Sequence, residues 1–339
     1  MPARIAVNGF GRIGRNFVRS LVERQRAGTV DASLELVAVN DLGDIETLAH
    51  LLRHDSVHGT AGWNVDVHDG VLDIDGRKVS VFAERNPSEL PWADLGVDLV
   101  IESTGVFTAR DDAALHLEAG ARRTIVSAPS AGADATIVIG VNDDAFDPTS
   151  HHVVSNASCN TNCLAPMVKV LDDAFGLEQG MITTVHAYTG DQALVDSPHR
   201  DLRRARAAAV NVVPTTTGAA RAIGLVLPHL AGKLDGLAMR VPVPSGSVTD
   251  LVAKVHGEID VAAVNDAFRA AAASGPLASV LDYREAPIVS SDIVGSPASC
   301  VFDADLTMVM GDTVKIAGWY DNEWGYSNRL VDLAARIAS

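Results

Sequence analysis

Residues 4–14 read Arg4-Ile5-Ala6-Val7-Asn8-Gly9-Phe10-Gly11-Arg12-Ile13-Gly14. Ile5, Ala6 and Val7 form a short apolar run closed by a turn residue, which predicts a buried strand over 4–8. Gly9, Gly11 and Gly14 follow as Gly-x-Gly-x-x-Gly. The apolar spacing then changes to the helical period. Ile13, Phe17, Val18, Leu21 and Val22 share one face of a helix over 11–27. A strand, a glycine turn and a helix in that order put backbone amides at a helix N-terminus, where they can meet a pyrophosphate. Gly9, Gly11 and Gly14, with Arg12 and Ile13 between them, are the candidate dinucleotide loop. The next strand, over 34–40 (LELVAVN), ends at Asp41. A carboxylate there accepts from a ribose diol and repels a 2′-phosphate, so NAD is favoured over NADP. Asp41 follows Gly14 by 27 residues, against the usual ~20. The excess falls in the polar stretch 23–32, read as a helix extension and loop.

Working outward, residues 45–53 have helical spacing, 98–102 (DLVIE) and 124–127 (TIVS) read as strands, and 111–119 reads as a helix. Strands alternating with helices imply a Rossmann-type parallel sheet with crossover helices. Between 62 and 82 the period drops to two, with Asp-Gly at 69–70 and 75–76, which predicts a pair of hairpins. From about His151 the character changes. A helix is expected over 162–175, and longer strand-like runs at 181–188, 236–243, 249–255, 298–303 and 313–320. These suggest an α+β catalytic domain built on a large mixed or antiparallel sheet. The expected division is an NAD-binding domain over 1–158 and a catalytic domain over 159–326. A C-terminal helix from about 327 to 339 docks back on the first.

The chain has 339 residues, 47% hydrophobic and 21% charged, which excludes a disordered or fibrous protein. Its formal charge of −16 argues against nucleic acid as a primary partner, although a local basic pocket can still collect a small anion. No run approaches the length of a membrane span, and the first ten residues do not resemble a secretory leader. Three cysteines cannot frame a disulfide scaffold and suggest thiols in a reducing compartment. A cytoplasmic protein is therefore expected.

Ser155-Asn156-Ala157-Ser158-Cys159-Asn160-Thr161-Asn162-Cys163 places Cys159 just before the second-domain helix. The free amides and dipole of a helix N-terminus favour a thiolate there, and the same amides can hold an oxyanion. Cys163 and Cys300 read as buried, inert thiols. Among eleven histidines, His186 ends an apolar strand beside polar residues. On its own such a histidine is more often structural than catalytic. His50, His54 and His58 carry no accompanying thiolate or carboxylate set, so no metal site is expected.

At this point the motifs resemble a known family. NGFGRIGRN, VAVNDL, TLAHLLRHDSVHG, ESTGVF, SNASCNTNCLAP, HAYTGDQ, DLRRARAAA, PTTTGAA, AMRVPVP and WYDNEWGYSNR occur in order from Arg4 to the C-terminus. Together they are similar to the phosphorylating glyceraldehyde-3-phosphate dehydrogenases of bacterial and eukaryotic type. The resemblance implies that Cys159 is the nucleophile and His186 its base. It implies that Arg12, Ile13 and Asp41 hold the dinucleotide, that Arg85 lies near the adenine, and that Thr104 and Ser127 lie in loops near the cofactor. Asn322 then meets the nicotinamide carboxamide and Tyr326 packs near that ring. Thr189 and Arg240 match the site for the substrate phosphate. Ser158, Asn160, Thr217 and Gly218 match the site for inorganic phosphate, and Arg204 lies near both. Arg203 and Arg206 stay with a solvated face or a subunit contact. A homotetramer is implied, with residues 196–211 reaching a neighbouring cofactor site. The implied reaction attacks the aldehyde with Cys159, passes hydride to NAD, and releases 1,3-bisphosphoglycerate from a thioester by phosphate attack.

The chain also departs from the family pattern. Asn160 stands where the family usually has Thr, which suggests altered phosphate binding or a thiol crowded against covalent inhibitors, as in a resistant isoform. Val243, Ser245 and Gly246 replace a usual Thr, Asn and Val, on a stretch expected to border a subunit contact. Pro198 favours NAD, and Ser197 before it is less usual. The competing readings are an erythrose-4-phosphate dehydrogenase, with the same thiol and base, and a non-catalytic redox-sensing or binding protein using Cys159.

Overall fold

The computed structural model describes residues 2–30 and 34–338. The expected loop at 23–32 therefore ends outside the described residues, as does the last residue of the expected 327–339 helix. The chain divides into two compact units. The first runs to Ile137 and includes Asp144–Ala157 and the stretch from Ser327. The second comprises Val138–Asp143 and Ser158–Tyr326.

In the first unit, β1 (Ala3–Asn8), α1 (Arg12–Arg26), β2 (Leu34–Asn40) and α2 (Ile45–Arg53) follow one another. A two-stranded ladder of β3 (His54–Asp55) and β4 (Gly59–Thr60) precedes β5 (Val65–His68), β6 (Val71–Ile74) and β7 (Arg77–Phe82). Then come β8 (Leu99–Glu102), α3 (Arg110–Ala113), α4 (Leu115–Glu118), β9 (Arg123–Val126), β10 (Ala135–Thr136) and β11 (Val153–Ser155). The sheet order is β10-β11-β9-β8-β1-β2-β7-β6-β5, parallel from β10 to β7 and antiparallel at the β6 and β5 edge. Two Asp-Gly turns build that edge. Asp69 and Gly70 have φ +53° and +77°, and Asp75 and Gly76 have +54° and +83°. Two successive positive φ values match the twist of a hairpin, which is why Asp-Gly marks it. The helix expected over 111–119 is instead two turns, α3 and α4. Leu117 N–H bonds Ala114 O at 2.8 Å, an i→i+3 contact that tightens the chain and breaks the helical ladder. A half-buried ion pair fastens the C-terminal helix inside this unit, with Arg24 Nη2 2.7 Å from Asp332 Oδ1.

The second unit opens with α5 (Cys159–Phe175) and β12 (Leu177–Ala187), then β13 (Val213–Thr216), α6 (Ala219–Val226), β14 (Leu234–Val241) and β15 (Ser247–Val255). It continues with α7 (Val261–Ala273), β16 (Leu281–Arg284), α8 (Ser290–Ile293), β17 (Cys300–Met310) and β18 (Thr313–Tyr320). α9 (Trp324–Ala338) ends the chain. Seven strands pair in the order β13-β14-β12-β15-β18-β17-β16. The sheet is mixed, since β12 and β14 run parallel whereas β12–β15, β15–β18 and β17–β18 are antiparallel. α5 packs on this sheet with Leu164, Met167 and Leu171 fully buried, each contributing roughly 1.5–3 kcal/mol. Residues alternate along β12, so Ile182, Thr184 and His186 point inward and Met181 outward. The outward side leaves Met181, Leu237, Val252, Met308 and Met310 exposed.

α5 begins three residues before its expected start. The Ser158 side chain accepts from Thr161 N–H at 3.1 Å and caps the helix, so Cys159 is its first residue rather than its forerunner. β17 runs beyond its expected end because a register shift between Asp303 and Met308 breaks the apolar pattern without ending the strand. Ser245 is buried and bonds Asp321 Oδ1 at 2.8 Å, and a Cβ on Gly246 would lie 2.2 Å from Ser290 O. Among the described residues, no helix is long and apolar enough to cross a membrane.

Candidate functional site

Two constellations stand out, one in each unit. In the first, β1 turns sharply at Gly9 (φ +88°), and α1 starts at Arg12 with Gly11 before it. Gly11 has no side chain to cap the helix, so the first amides of α1 face a ligand directly. A Cβ at Gly9 would lie 2.5 Å from Thr104 N, and one at Gly14 2.1 Å from Gly9 O. At Gly11 a Cβ would meet nothing within 4 Å. The outer glycines are required by packing, and the middle one leaves open approach.

Asp41 accepts from Phe10 N–H at 2.7 Å and Gly43 N–H at 2.9 Å, which orients its carboxylate beside the loop. Beneath the loop lies a buried polar chain. Trp92 Nε1 donates to His116 Nδ1 at 3.0 Å, and the other ring nitrogen therefore carries its proton toward Glu102 Oε2, 3.0 Å away. Asn8 Nδ2 donates to the same oxygen at 2.6 Å, Thr104 N–H to Glu102 Oε1 at 2.8 Å, and Asn40 Nδ2 to Asn8 Oδ1 at 2.7 Å. Glu102 thus ties together the ends of β1 and β2 and the loop after β8. A cleft of about 360 Å³ opens above, lined by Gly9, Gly11, Asp41, Arg85, Thr104 and Phe107. Arg12, Ile13, Gly14 and Ser127 do not line it. Arg12 instead pairs with Asp55, and Ser127 N–H bonds Glu102 O at 2.9 Å. The open glycine turn, uncapped amides and oriented Asp41 fit an NAD pyrophosphate and ribose.

In the second unit, Cys159 stands at the start of α5 and His186 at the end of β12, with Sγ 3.4 Å from Nε2. His186 Nδ1 lies 2.6 Å from Ala187 O and must donate to it, so Nε2 is the bare nitrogen facing the sulfur. The parallel register pairs His186 with Arg240, whose Nη1 lies 3.2 Å from Nδ1 and 2.8 Å from Thr189 Oγ1. Burial, helped by the Arg240 charge, pushes His186 down to about 3. Burial pushes the Cys159 thiol up to about 11, against the pull of Arg240 and of the first helix amides. Desolvation thus works against the thiolate that the helix end and Arg240 favour.

Thr189, Arg240 and Arg204 converge on Asp191. Thr189 Oγ1 donates to its carboxylate, and Arg204 Nη1 lies 2.6 Å from Oδ2. Arg204 Nε also donates to Thr215 Oγ1 at 2.9 Å. Ser158 caps α5, and Gly218 precedes α6. Asn160 Nδ2 donates to Thr217 Oγ1 at 3.3 Å, which ties these two helix starts together. Asn322 is buried, and its Oδ1 accepts from Ser247 at 2.9 Å and from Ser245 at 3.4 Å. Tyr326 is buried as well. Cys163 and Cys300 are both buried in the core. Arg206 pairs with Asp196 at the surface. Among the described residues, no group of three or more His, Cys, Asp or Glu is placed to hold a metal ion.

Sequence reasoning overlooked Tyr320, Asp191 and Ser247. Tyr320 OH donates to Asn160 Oδ1 at 2.9 Å, and Ser247 Oγ accepts from Ala187 N–H at 3.1 Å. A signal for Tyr320 lies in the strand period of 313–320, which turns it inward at the strand end beside Ser247.

Comparison with known proteins gives a consistent result. Residues 3–110 match the family model described as glyceraldehyde 3-phosphate dehydrogenase, NAD binding domain. Residues 158–322 match glyceraldehyde 3-phosphate dehydrogenase, C-terminal domain. The chain is 57% identical over 340 residues to glyceraldehyde-3-phosphate dehydrogenase of Streptomyces coelicolor, covering 100% of this chain and 99% of that protein. It is 56% identical to the Geobacillus stearothermophilus protein of the same name, again over 100% and 99%. The Mycobacterium avium protein of that name is 56% identical, over 99% of each chain.

Proposed function

The chain belongs to the glyceraldehyde-3-phosphate dehydrogenase family, and from that membership we propose that Cys159 and His186 carry out its reaction. The protein is an NAD-dependent oxidoreductase of glyceraldehyde 3-phosphate. The observation that carries the residue assignment is the 3.4 Å approach of the Cys159 sulfur to a bare His186 Nε2. His186 takes the thiol proton as sulfur adds to the aldehyde carbon and returns it to the new alkoxide oxygen, giving a hemithioacetal. The Cys159 amide at the start of α5 holds its oxygen. Bound NAD supplies the hydride acceptor. As hydride leaves the carbon, His186 Nε2 takes the hydroxyl proton and a thioester remains on Cys159. Inorganic phosphate then attacks the thioester carbon, the carbon–sulfur bond breaks, and 1,3-bisphosphoglycerate departs.

Gly9, Gly11, Arg12, Ile13, Gly14, Asp41, Arg85, Thr104 and Ser127 are assigned to the dinucleotide, and Asn322 and Tyr326 to its nicotinamide end. Thr189, Arg240 and Arg204 are assigned to the substrate phosphate. Ser158, Asn160, Thr217 and Gly218 are assigned to inorganic phosphate. An incoming phosphate takes over the cations that Asp191 now occupies. We place the domain division at 158/159. The exposed Met181, Leu237, Val252, Met308 and Met310 support a homotetramer, since a monomer rarely leaves so many large apolar side chains on one sheet face. Exposed Leu202 and Val210, flanked by exposed Leu194, Val195 and Val212, support a second contact through residues 196–211. A cytoplasmic location suits the free thiols. Full-length similarity to named glyceraldehyde-3-phosphate dehydrogenases favours this reading over an erythrose-4-phosphate dehydrogenase or a redox sensor.

Initial rates of NADH formation, with and without phosphate and with erythrose 4-phosphate as control, test it. Sustained, phosphate-dependent turnover of glyceraldehyde 3-phosphate is expected. Faster turnover of erythrose 4-phosphate, or turnover indifferent to phosphate, contradicts it.

A further inference from the structure

The polar chain beneath the dinucleotide loop has a fixed direction at every link. The Trp92 indole can only donate, so His116 Nδ1 accepts from it at 3.0 Å and the ring proton sits on Nε2. That proton points to Glu102 Oε2, 3.0 Å away. The Glu84 backbone N–H and C=O orient the Asn40 amide at 2.8 Å each. Asn40 Nδ2 then orients Asn8 by donating to its Oδ1 at 2.7 Å, and Asn8 Nδ2 donates to Glu102 Oε2 at 2.6 Å. Thr104 Oγ1 accepts from Val106 N–H at 3.0 Å, so its own hydrogen goes to Glu102 Oε1, beside the Thr104 N–H at 2.8 Å. The two carboxylate oxygens thus accept four hydrogen bonds. Asn8, Asn40, Trp92, Glu102 and His116 are all buried, so the loss of one partner leaves another unsatisfied.

We propose that Trp92 and His116, which do not line the cleft, are positioning residues that set its affinity for NAD by holding the Glu102 carboxylate in place. This deepens the assignment of NAD to that cleft and rests on it. Glu102 is the common anchor of the cleft walls. Its Oε1 fixes Thr104, and its Oε2 reaches Glu84, next to Arg85, through Asn8 and Asn40. Asn8, Asn40, Glu84, Arg85 and Thr104 all line the cleft. The loop after β8 also lies directly on the glycine turn. Ser103 N–H bonds Asn8 O at 2.7 Å, Ser103 Oγ bonds Gly9 O at 2.7 Å, and a Cβ on Gly9 would collide with Thr104 N. His116 brings the fourth hydrogen bond to Glu102 from α4, outside these walls. Trp92 keeps the imidazole in the tautomer that can donate, since the other would turn a bare Nε2 toward the carboxylate. With this support the walls are ordered before the dinucleotide arrives, and binding does not bear the entropy of ordering them.

The test is calorimetric titration of NAD into the NAD-free enzyme, in the native protein, His116→Leu, His116→Gln and Trp92→Phe, with melting temperatures and steady-state rates on each. Leu can neither accept from Trp92 nor donate to Glu102. His116→Leu is expected to bind NAD about three- to tenfold more weakly, the size of one hydrogen bond. Gln can do both through its amide oxygen and nitrogen, so His116→Gln is expected within about twofold of native. Trp92→Phe keeps an aromatic ring and loses the N–H, and about two- to threefold weakening is expected. The KM for NAD rises with the Kd, while kcat at saturating NAD and the KM for glyceraldehyde 3-phosphate stay near native values. A purely structural role lowers the melting temperature and leaves the NAD affinity of the folded protein unchanged. That result in His116→Leu overturns the proposal, as does a Gln variant as weak as the Leu variant. If His116→Leu does not fold, Trp92→Phe decides alone: weaker NAD binding supports the proposal, and native affinity overturns it. Failure of the cleft assignment registers separately, as native NAD affinity in Asp41→Ala.

Discussion

His186 and Arg240 stand opposite each other on adjacent parallel strands, with Arg240 Nη1 3.2 Å from His186 Nδ1. The guanidinium, proposed above for the substrate phosphate, opposes protonation of the imidazole beside it. Burial first, and Arg240 second, bring His186 from 6.5 to about 3. Arg240→Gln is therefore expected to raise the His186 pKa and to weaken substrate binding. An imidazole titration by NMR checks the first effect, and an unmoved resonance contradicts it. The sign for stability follows from the same depression. Between pH 6.5 and about 3 the unfolded chain binds the extra proton, so stability falls as pH falls through that window. His186→Gln is expected to melt with a shallower pH dependence there.

Asp55 and Arg12 form an ion pair beside the dinucleotide loop. Burial raises the Asp55 pKa, but the Arg12 hydrogen bond and the His58 and Val57 amides overcome it and bring the carboxyl down to about 2. Its contribution is present above pH 3.8 and is lost as pH falls toward about 2. Asp55→Asn is expected to cost about 1.5–3 kcal/mol near neutral pH and to weaken NAD binding. Thermal melting across pH checks this: the gap to the native protein closes toward the acid end.

Gly9→Ala forces a side chain into a backbone at φ +88°, with its Cβ 2.5 Å from Thr104 N. Either the loop or the end of β8 must move. NAD affinity is expected to fall at least tenfold, about 1.4 kcal/mol, by calorimetric titration. Gly11→Ala meets no such obstacle and measures only the approach to the ligand.

Removing Glu102 takes away the acceptor for Asn8, Thr104 and His116 at once, and Asn8 and His116 are buried with it. Glu102→Ala is expected to cost about 3–5 kcal/mol, read as a large drop in melting temperature. Glu102→Gln keeps an acceptor and is expected to cost less.

The sequence made the dinucleotide half nearly complete, because its signals are local. β1, α1, β2 and α2 follow from apolar period and glycine placement within a few tens of residues, and Asp-Gly pairs mark both hairpin turns. The catalytic half needed more. Cys159 was legible from its motif, but its place as the first helical residue depended on the Ser158 cap. His186 beside Arg240 is a matter of strand register, which no local pattern specifies. Tyr320 meets Asn160 across 160 residues of chain, and only the folded sheet brings them together. Helix-end electrostatics at Cys159 can be read from sequence, but the desolvation that opposes them cannot.

Single-turnover kinetics of His186→Asn test the thiol–base pair most directly, with NAD affinity measured on the same protein. Acylation by glyceraldehyde 3-phosphate is expected to slow by ~10²–10⁴-fold with NAD affinity unchanged. An acylation rate equal to that of the native enzyme, or a loss of NAD binding that accounts for the slowing, contradicts the assignment.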